Sequence, residues 1–340
     1  IMINIQYNID LKAYHTFAIS QQATALFTYE TCDDLTHFFN EYRNHFKRIL
    51  PIGEGSNMLF INDFDGCILK SHIRTIEIVS QNHEFAIIKV GSGLIWDDFV
   101  AWSIEHNFHG IENLSLIPGT VGASAVQNIG AYGIEAAQVI DKVEGLDIQT
   151  FNYQIFNNTQ CRFGYRSSVF KNDLQNKFII THVHFKLTLK PNYKLEYGAV
   201  KQEVEKLGKV SLQHIREAII KIREEKLPDP KILGNAGSFF KNPVIDKHIA
   251  QKLISENPGM PYYKSDNNTI KLAAGWLIDQ CGLKGFKTSD GAAVHKNQAL
   301  VLTNCGVKSG YNILELANYI KDKVYEKFAI NLEPEVTIIE

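Results

Sequence analysis

The sequence predicts an α+β protein of more than one domain, and three observations carry that expectation. Its 340 residues exceed the ~250–300 at which a single core stops growing, so two or three domains are expected. The stretch "KFIITHVHFKLTLK" alternates in hydropathy. Ile179, Val183, Phe185, Leu187 and Leu189 fall on one face and His182, His184, Lys186 and Lys190 on the other, the signature of a half-solvated antiparallel strand. Finally, "LPDPK" after Lys226 stops a helix, because proline cannot continue one and restricts the residue before it.

Along the chain, Leu35, Phe38, Phe39, Tyr42 and Phe46 recur at helical intervals, with Asp33 and Asp34 in the first turn where the helix dipole favours acids. "RILPIGEGSNMLFI" then reads as strand, glycine loop, strand, and "TIEIVS" and "FAIIKVGSG" as further strands. A short helix is expected around Phe99, Val100 and Ile104. Ser211 is a fitting N-cap for a helix carrying Leu212, Ile215, Ile219 and Ile222. Beyond Pro230 the pattern predicts an α+β unit with helices near 246–255, 272–281 and 311–327, and "LEPEVTIIE" as the closing strand. The expected domains are 1–72, with a C-terminal strand at 329–340 packing back toward it, 73–226, and 227–328.

With 45% apolar residues, 21% charged residues and a formal charge of −2, the chain is ordinarily globular and carries no field to draw it to nucleic acid or an anionic membrane. No apolar run reaches the ~18–20 residues of a membrane span. Five widely spaced cysteines without a C-x-x-C argue against a disulfide framework or zinc knuckle and for a reducing, cytoplasmic setting. No H-E-x-x-H or other ligand-like histidine cluster occurs, so no metal is expected.

Four motifs remain. "GEGSN" (Gly53–Asn57) and "GSGLIW" are each half of G-x-G-x-x-G, and the first is followed by strand-like "MLFI" where a Rossmann unit needs a helix. Plain turns or a pyrophosphate cradle of successive amides both stay open. "IPGTVGASAVQNIGAYG" (Ile117–Gly133) holds four glycines, three alanines and no charge, so it reads either as a functional loop lying against a large flat group, with Ser124, Gln127 and Asn128 as polar contacts, or as a tightly packed turn. "CRFGYRSSVFK" puts Arg166 in a strand-like context, where its fork suits a carboxylate or phosphate. Ser238 in "GNAGSFFKNP" lacks the G-x-S-x-G elbow. Such a hydroxyl can donate a proton only to a strongly basic carbon, a carbanion or an enolate.

Taken jointly and in order, "GEGSN", "IPGTVGASAVQNIGAYG", "CRFGYRSSVF", "LPDPK", "GNAGSFFKNP", "AAGWLIDQCGLKG" and "LEPEV" resemble the UDP-N-acetylenolpyruvoylglucosamine reductase family, over most of the chain. The resemblance implies a vanillyl-alcohol-oxidase/PCMH-type FAD-binding fold in two subdomains plus a C-terminal α+β substrate-binding domain. It implies bound FAD, NADPH as co-substrate, UDP-N-acetylglucosamine enolpyruvate as substrate and action as a monomer. By the same resemblance Ser238 is the proton donor, with Arg166 and Glu335 completing the catalytic set.

Flavin contacts are implied at Gly53, Glu54, Gly55, Ser56, Asn57, Ser115, Pro118, Gly119, Gly122, Ala123, Asn128, Gly130, Ala131, Tyr132, Gly133 and Arg223. Substrate contacts are implied at Tyr165, Tyr197, Lys226, Asn242, Tyr263 and Gln298, and "KLEYG" resembles the branch with a mobile tyrosine loop. One departure is Thr337, where many relatives carry arginine. Another flavoprotein of the same fold acting on a small alcohol, or a nonredox nucleotide-sugar binder, are the alternatives.

Overall fold

The computed structural model describes residues 4–340, the side chain of Lys264 excepted. These residues form two compact units, one comprising residues up to Ile9, Ala23–Glu54 and Asp65–Glu225, the other Asp10–Gln22, Gly55–Phe64 and Lys226–Glu340.

In the first unit, strands Ile5–Asp10, Gln22–Tyr29, Phe64–Ser71 and Ile49–Ile52 lie side by side in that order, the last two parallel. Helix Cys32–Glu41 starts in a capping box, Thr31 accepting from Asp34 N–H while the Asp34 carboxylate accepts from Thr31 N–H. Its apolar stripe, Leu35, Phe38 and Phe39, is buried with Phe27, Tyr29, Phe46 and Leu69. Phe27 and Phe38 stack with centroids 4.6 Å apart.

The same unit contains a five-stranded antiparallel sheet in the order Tyr153–Asn157, Ile140–Asp147, Phe178–Thr188, Phe85–Gly91, Ile76–Gln81. Helix Trp96–Glu105 buries Trp96, Phe99, Val100 and Ile104 together with Val183, Phe185 and Leu187 of the central strand. Helix Leu212–Lys226 begins where the Ser211 hydroxyl accepts from His214 N–H at 3.1 Å and ends directly before the Leu227–Pro228 pair, as the serine cap and the proline predict.

The strand Phe178–Thr188 corrects the expectation of a half-solvated strand. It is central, and His184 is only 3% exposed. The register against Ile140–Asp147 shifts where Glu144 pairs His182 and Gly145 pairs Ile180, leaving Thr181 as the extra residue. A bulge adds one residue and so reverses the alternation. Ile180 therefore joins the core of Val183 and Phe185, and Ile179 joins that of Phe27 and Phe38. Hydropathy could not reveal this because Ile179 and Ile180 are both apolar.

On that strand's polar face, Glu144 accepts from Lys89 Nζ at 2.7 Å, lies 2.7 Å from His184 Nε2 and stands 3.8 Å from His182 Nδ1. Burial, aided by the Lys89 charge, pushes the His182 imidazole down to about 4, against the pull of Glu144. Burial also lowers His184. Burial opposes ionisation of Glu144, but Lys89 and His184 outweigh it and hold the carboxyl below its ordinary value.

An acid-limb prediction follows. As pH falls from ~6.5, the unfolded chain protonates at His182 before the folded one does, so stability drops between pH ~6.5 and about 4. The full contribution is on the order of 3 kcal/mol. Glu144, with a depressed folded value, loses its own contribution only at more acid pH. Denaturant titrations at pH 7 and pH 4.5 are expected to show a clearly smaller pH difference for His182→Gln than for the parent chain. An unchanged pH difference would refute this account of the network.

The second unit has two three-stranded antiparallel sheets. Their orders are Asn235–Ser238, Val301–Asn304, Ala292–Val294, and Val244–Asp246, Thr269–Leu272, Tyr262–Lys264. Helices Lys247–Glu256, Ala274–Gln280 and Gly310–Phe328 accompany them, close to the three ranges the sequence predicts. Phe239, Phe240, Leu277, Ile278, Ile313, Ile320 and Val324 centre the core. The closing strand is shorter than expected: Thr337–Ile339 pairs in parallel with Met58–Phe60, and Glu335 lies before it. Pro334 has no N–H, so its contact with Phe240 is an isolated bridge.

Candidate active site

Ser238 ends the strand Asn235–Ser238, whose pairing with Val301–Asn304 slips between Asn235 and Ser238. Gly237 sits at φ +67°, where a Cβ would meet nothing within 4 Å. Its N–H donates to Asn235 Oδ1 at 2.9 Å, and Asn235 is itself held by donating to the Pro228 and Leu233 carbonyls. A left-handed glycine in a bulge re-aims the side chain that follows. The serine's direction is thus set by Gly237 and Asn235, the second of which the sequence reading missed.

Glu335 is brought beside this strand. Its N–H donates to Phe239 O at 2.7 Å, and Lys241 N–H donates to Glu333 O at 2.9 Å. Asn57 of "GEGSN" clamps the segment from the other side: its Nδ2 donates to Glu335 O at 3.1 Å and its carbonyl accepts from Thr337 N–H at 2.9 Å. Asn57 therefore holds Glu335, a use that sequence did not suggest. Glu333 pairs with Lys241 at 3.4 Å.

Gly55 serves the same unit. At φ +61° it packs so closely that a Cβ would lie 2.3 Å from Tyr14 O and 2.5 Å from His15 Cα. In the first unit, Lys70 Nζ donates to Gly53 O at 3.0 Å and to Glu54 Oε1 at 2.8 Å. No sequence motif marks Lys70.

Residues 117–133 are not a bare loop. Thr120 caps helix Val121–Val126, accepting from Ala123 N–H, and Gly130–Ala131 pairs with Ile134–Glu135 across a turn in which Tyr132 and Gly133 both have positive φ. Gly122 allows that helix to touch Ser92, whose Cβ a new methyl would approach to 2.7 Å. Packing alone therefore explains this glycine. Ser124 and Ser115 donate to the Val121 and Glu112 carbonyls at 2.7 Å, so these hydroxyls are used locally. Asn113, which no pattern marked, donates to Tyr132 O and Lys194 O.

Arg166 is on a turn rather than a strand. Gly164 and Ser167 exchange N–H···O bonds at 3.0 and 3.1 Å, with Tyr165 and Arg166 between them, and Arg166 has φ +52°. Its Nη2 donates to Gly130 O at 2.9 Å. Arg166 belongs to the first unit, whereas Ser238 and Glu335 belong to the second.

Arg223, on the helix Leu212–Lys226, has a buried Nε with no hydrogen-bond partner. Burial lowers its pKa despite its hydrogen bond with Tyr132. A desolvated cation with an unmet donor, beside a hairpin of small residues, fits an anionic cofactor. Nearby, Arg216 grips Asp97 with two bonds of 2.7 and 2.8 Å, and Asp97 Oδ1 also accepts from Leu116 N–H.

The remaining sites are dispersed. Tyr197 meets the Tyr132 ring edge-on at 6.0 Å, and Tyr165 lies under the Arg166 guanidinium at 5.5 Å. Lys226 is the last residue of its helix. Asn242 Oδ1 accepts from Ala274 N–H at 2.9 Å, Gln298 Oε1 accepts from Leu300 N–H, and Tyr263 is 37% exposed near Lys271.

Residues 23–152 match the family model described as FAD binding domain, in keeping with the small-residue hairpin and the desolvated Arg223. The chain is an FAD-binding oxidoreductase. Residues 229–339 match the model for the C-terminal domain of UDP-N-acetylenolpyruvoylglucosamine reductase. Curated proteins of that name are 43% identical in Bacteroides fragilis over 98% of this chain and all of the relative. Those of Porphyromonas gingivalis are 42% identical over 99% of this chain and all of the relative. The chain belongs to the UDP-N-acetylenolpyruvoylglucosamine reductase family, reductases of peptidoglycan precursor synthesis. The crystal structure of the Thermus caldophilus reductase shares the fold, with a TM-score of 0.70 at 23% identity over the full length of both chains. Among the described residues, no helix is long and apolar enough to cross a membrane.

Proposed function

We propose that the chain reduces UDP-N-acetylglucosamine enolpyruvate to UDP-N-acetylmuramate, with resident FAD and with NADPH as the reductant, as a cytoplasmic monomer. On this reading 1–72 and 73–226 hold the flavin and 227–328 the nucleotide. When bound, FAD supplies a hydride for the β-carbon of the enolpyruvyl double bond and regains it from NADPH.

The chain's own residues handle the consequences. The π pair moves to the α-carbon and its carboxylate, and the Arg166 guanidinium offsets that charge. Ser238 Oγ gives its proton to the α-carbon, completing two-electron reduction of the C=C bond, and solvent restores the serine. Glu335, on the segment fixed beside Ser238, completes the catalytic set. Arg223 would hold an anionic group of the flavin, Lys226 and Tyr197 close on the nucleotide diphosphate, and Asn242, Tyr263 and Gln298 make further contacts to the substrate.

The observation that carries the reading is the bond from Glu335 N–H to Phe239 O, which fixes the glutamate's segment next to the bulged serine. Purified protein is expected to be yellow and to oxidise NADPH only when the enolpyruvyl nucleotide is added. Oxidation of NADPH at the same rate without the nucleotide, driven by oxygen, would instead indicate an oxidase.

A further inference from the structure

Asn128 is 1% exposed and sits at φ +46°. Its Nδ2 donates to Glu135 Oε2 at 2.9 Å and to Gly164 O at 3.0 Å, and its Oδ1 accepts from Ala137 N–H at 2.9 Å. Both amide hydrogens are thereby used inside the protein, so this side chain is not the polar contact to a flat ligand that the sequence suggested.

The two donor bonds close a ring. Gly164 opens the turn that carries Arg166, Arg166 Nη2 reaches Gly130 O, Gly130 pairs with Glu135 across the hairpin, and Glu135 returns to Asn128. Gly130 is also where a Cβ would crowd both Glu135 Cγ at 2.9 Å and Arg166 Nη1 at 3.3 Å. A left-handed arginine is costly and persists only where its surroundings over-determine it. Here the backbone of the turn is held from Asn128 and the guanidinium tip from Gly130.

We propose that Asn128 is a positioning residue that fixes the direction of Arg166 through the Gly164 carbonyl. The inference rests on the reading above in which Arg166 offsets charge on the substrate. A long side chain delivers electrostatic stabilisation only if it is aimed before the charge develops, and this turn has only two residues between its closing bonds.

Asn128→Gly tests it, since glycine accepts φ +46° and deletes only the amide. In the flavin-loaded enzyme, reoxidation by the enolpyruvyl nucleotide is expected to slow about 10- to 100-fold, far more than flavin reduction by NADPH. Amide hydrogen exchange is expected to speed up in residues 163–168 while the strand Phe178–Thr188 stays protected. A second variant, Asn128→Asp with Glu135→Gln, rebuilds a bond between those two side chains but leaves Gly164 O without its donor. It is expected to stay slow and exchange-prone in the turn, and it decides the matter if the glycine variant does not fold.

Full-rate reoxidation in either variant, or exchange unchanged at 163–168, overturns the proposal. Arg166→Lys separates the two readings. If it reoxidises normally the role given to Arg166 fails, whereas a slow Arg166→Lys beside a normal Asn128→Gly removes only the role given to Asn128.

Discussion

Ser238→Ala is expected to slow reoxidation of the reduced enzyme by enolpyruvyl nucleotide by about 10²–10⁴, the usual worth of a positioned general acid, while NADPH reduces the flavin at close to the normal rate. On the proposed mechanism only the second half of the cycle requires a proton on carbon, which is what would split the two rates. A serine hydroxyl is too weak an acid to help a less basic centre, so the size of the defect reports how much carbanion character the reacting carbon acquires. Stopped-flow absorbance of the flavin in the two half-reactions measures it directly. Equal slowing of both would show that the hydroxyl serves binding or folding. Because Gly237 and Asn235 set the serine's direction, the alanine variant should fold normally.

Gly55→Ala is expected to destabilise the protein by at least about 3 kcal/mol. A left-handed alanine costs about 1–2 kcal/mol, and its methyl would press to 2.3 Å against the Tyr14 carbonyl, backbone that has no rotamer with which to yield. Gly237→Ala provides the comparison, with a similar φ of +67° and nothing within 4 Å, so it should cost only the conformational part, about 1–2 kcal/mol. Denaturant midpoints of the two variants test the difference. Equal losses would mean that the contact with Tyr14 and His15 relaxes freely, and that "GEGSN" owes its glycine to conformation alone.

Local patterns carried a good part of the structure. Helix Leu212–Lys226 follows from Ser211, four spaced apolar residues and a terminating proline, all within one short segment. Helix Cys32–Glu41 was legible from Asp33, Asp34, Leu35, Phe38 and Phe39, but it ends before Tyr42 and Phe46, which the apolar spacing had included. The candidate site stood out as a set of motifs in order, because glycine-rich segments and the serine and arginine among them are conspicuous by composition. What those motifs do was less legible. Asn57, Asn128, Ser115 and Ser124 look like ligand contacts in sequence, yet each spends a polar group on the protein itself. Lys70, Asn113, Glu135 and Asn235 look ordinary, and each holds a piece of the site.

By itself, then, the order of residues determined the longer amphipathic helices, the Ser211 cap, the α+β character and the family, because apolar spacing, capping, proline breaks and short motifs act over a few neighbouring positions, whereas the short helix Val121–Val126 left no such mark. Tertiary structure alone decided that Phe178–Thr188 is buried on both faces and reverses its alternation at Thr181. It alone joined Asn57 to Glu335 across 278 positions and Asn128 to the turn of Arg166 across 36. Such bonds depend on where distant backbone carbonyls and amides arrive, and every residue carries those groups, so their pairing leaves no mark on side-chain identity.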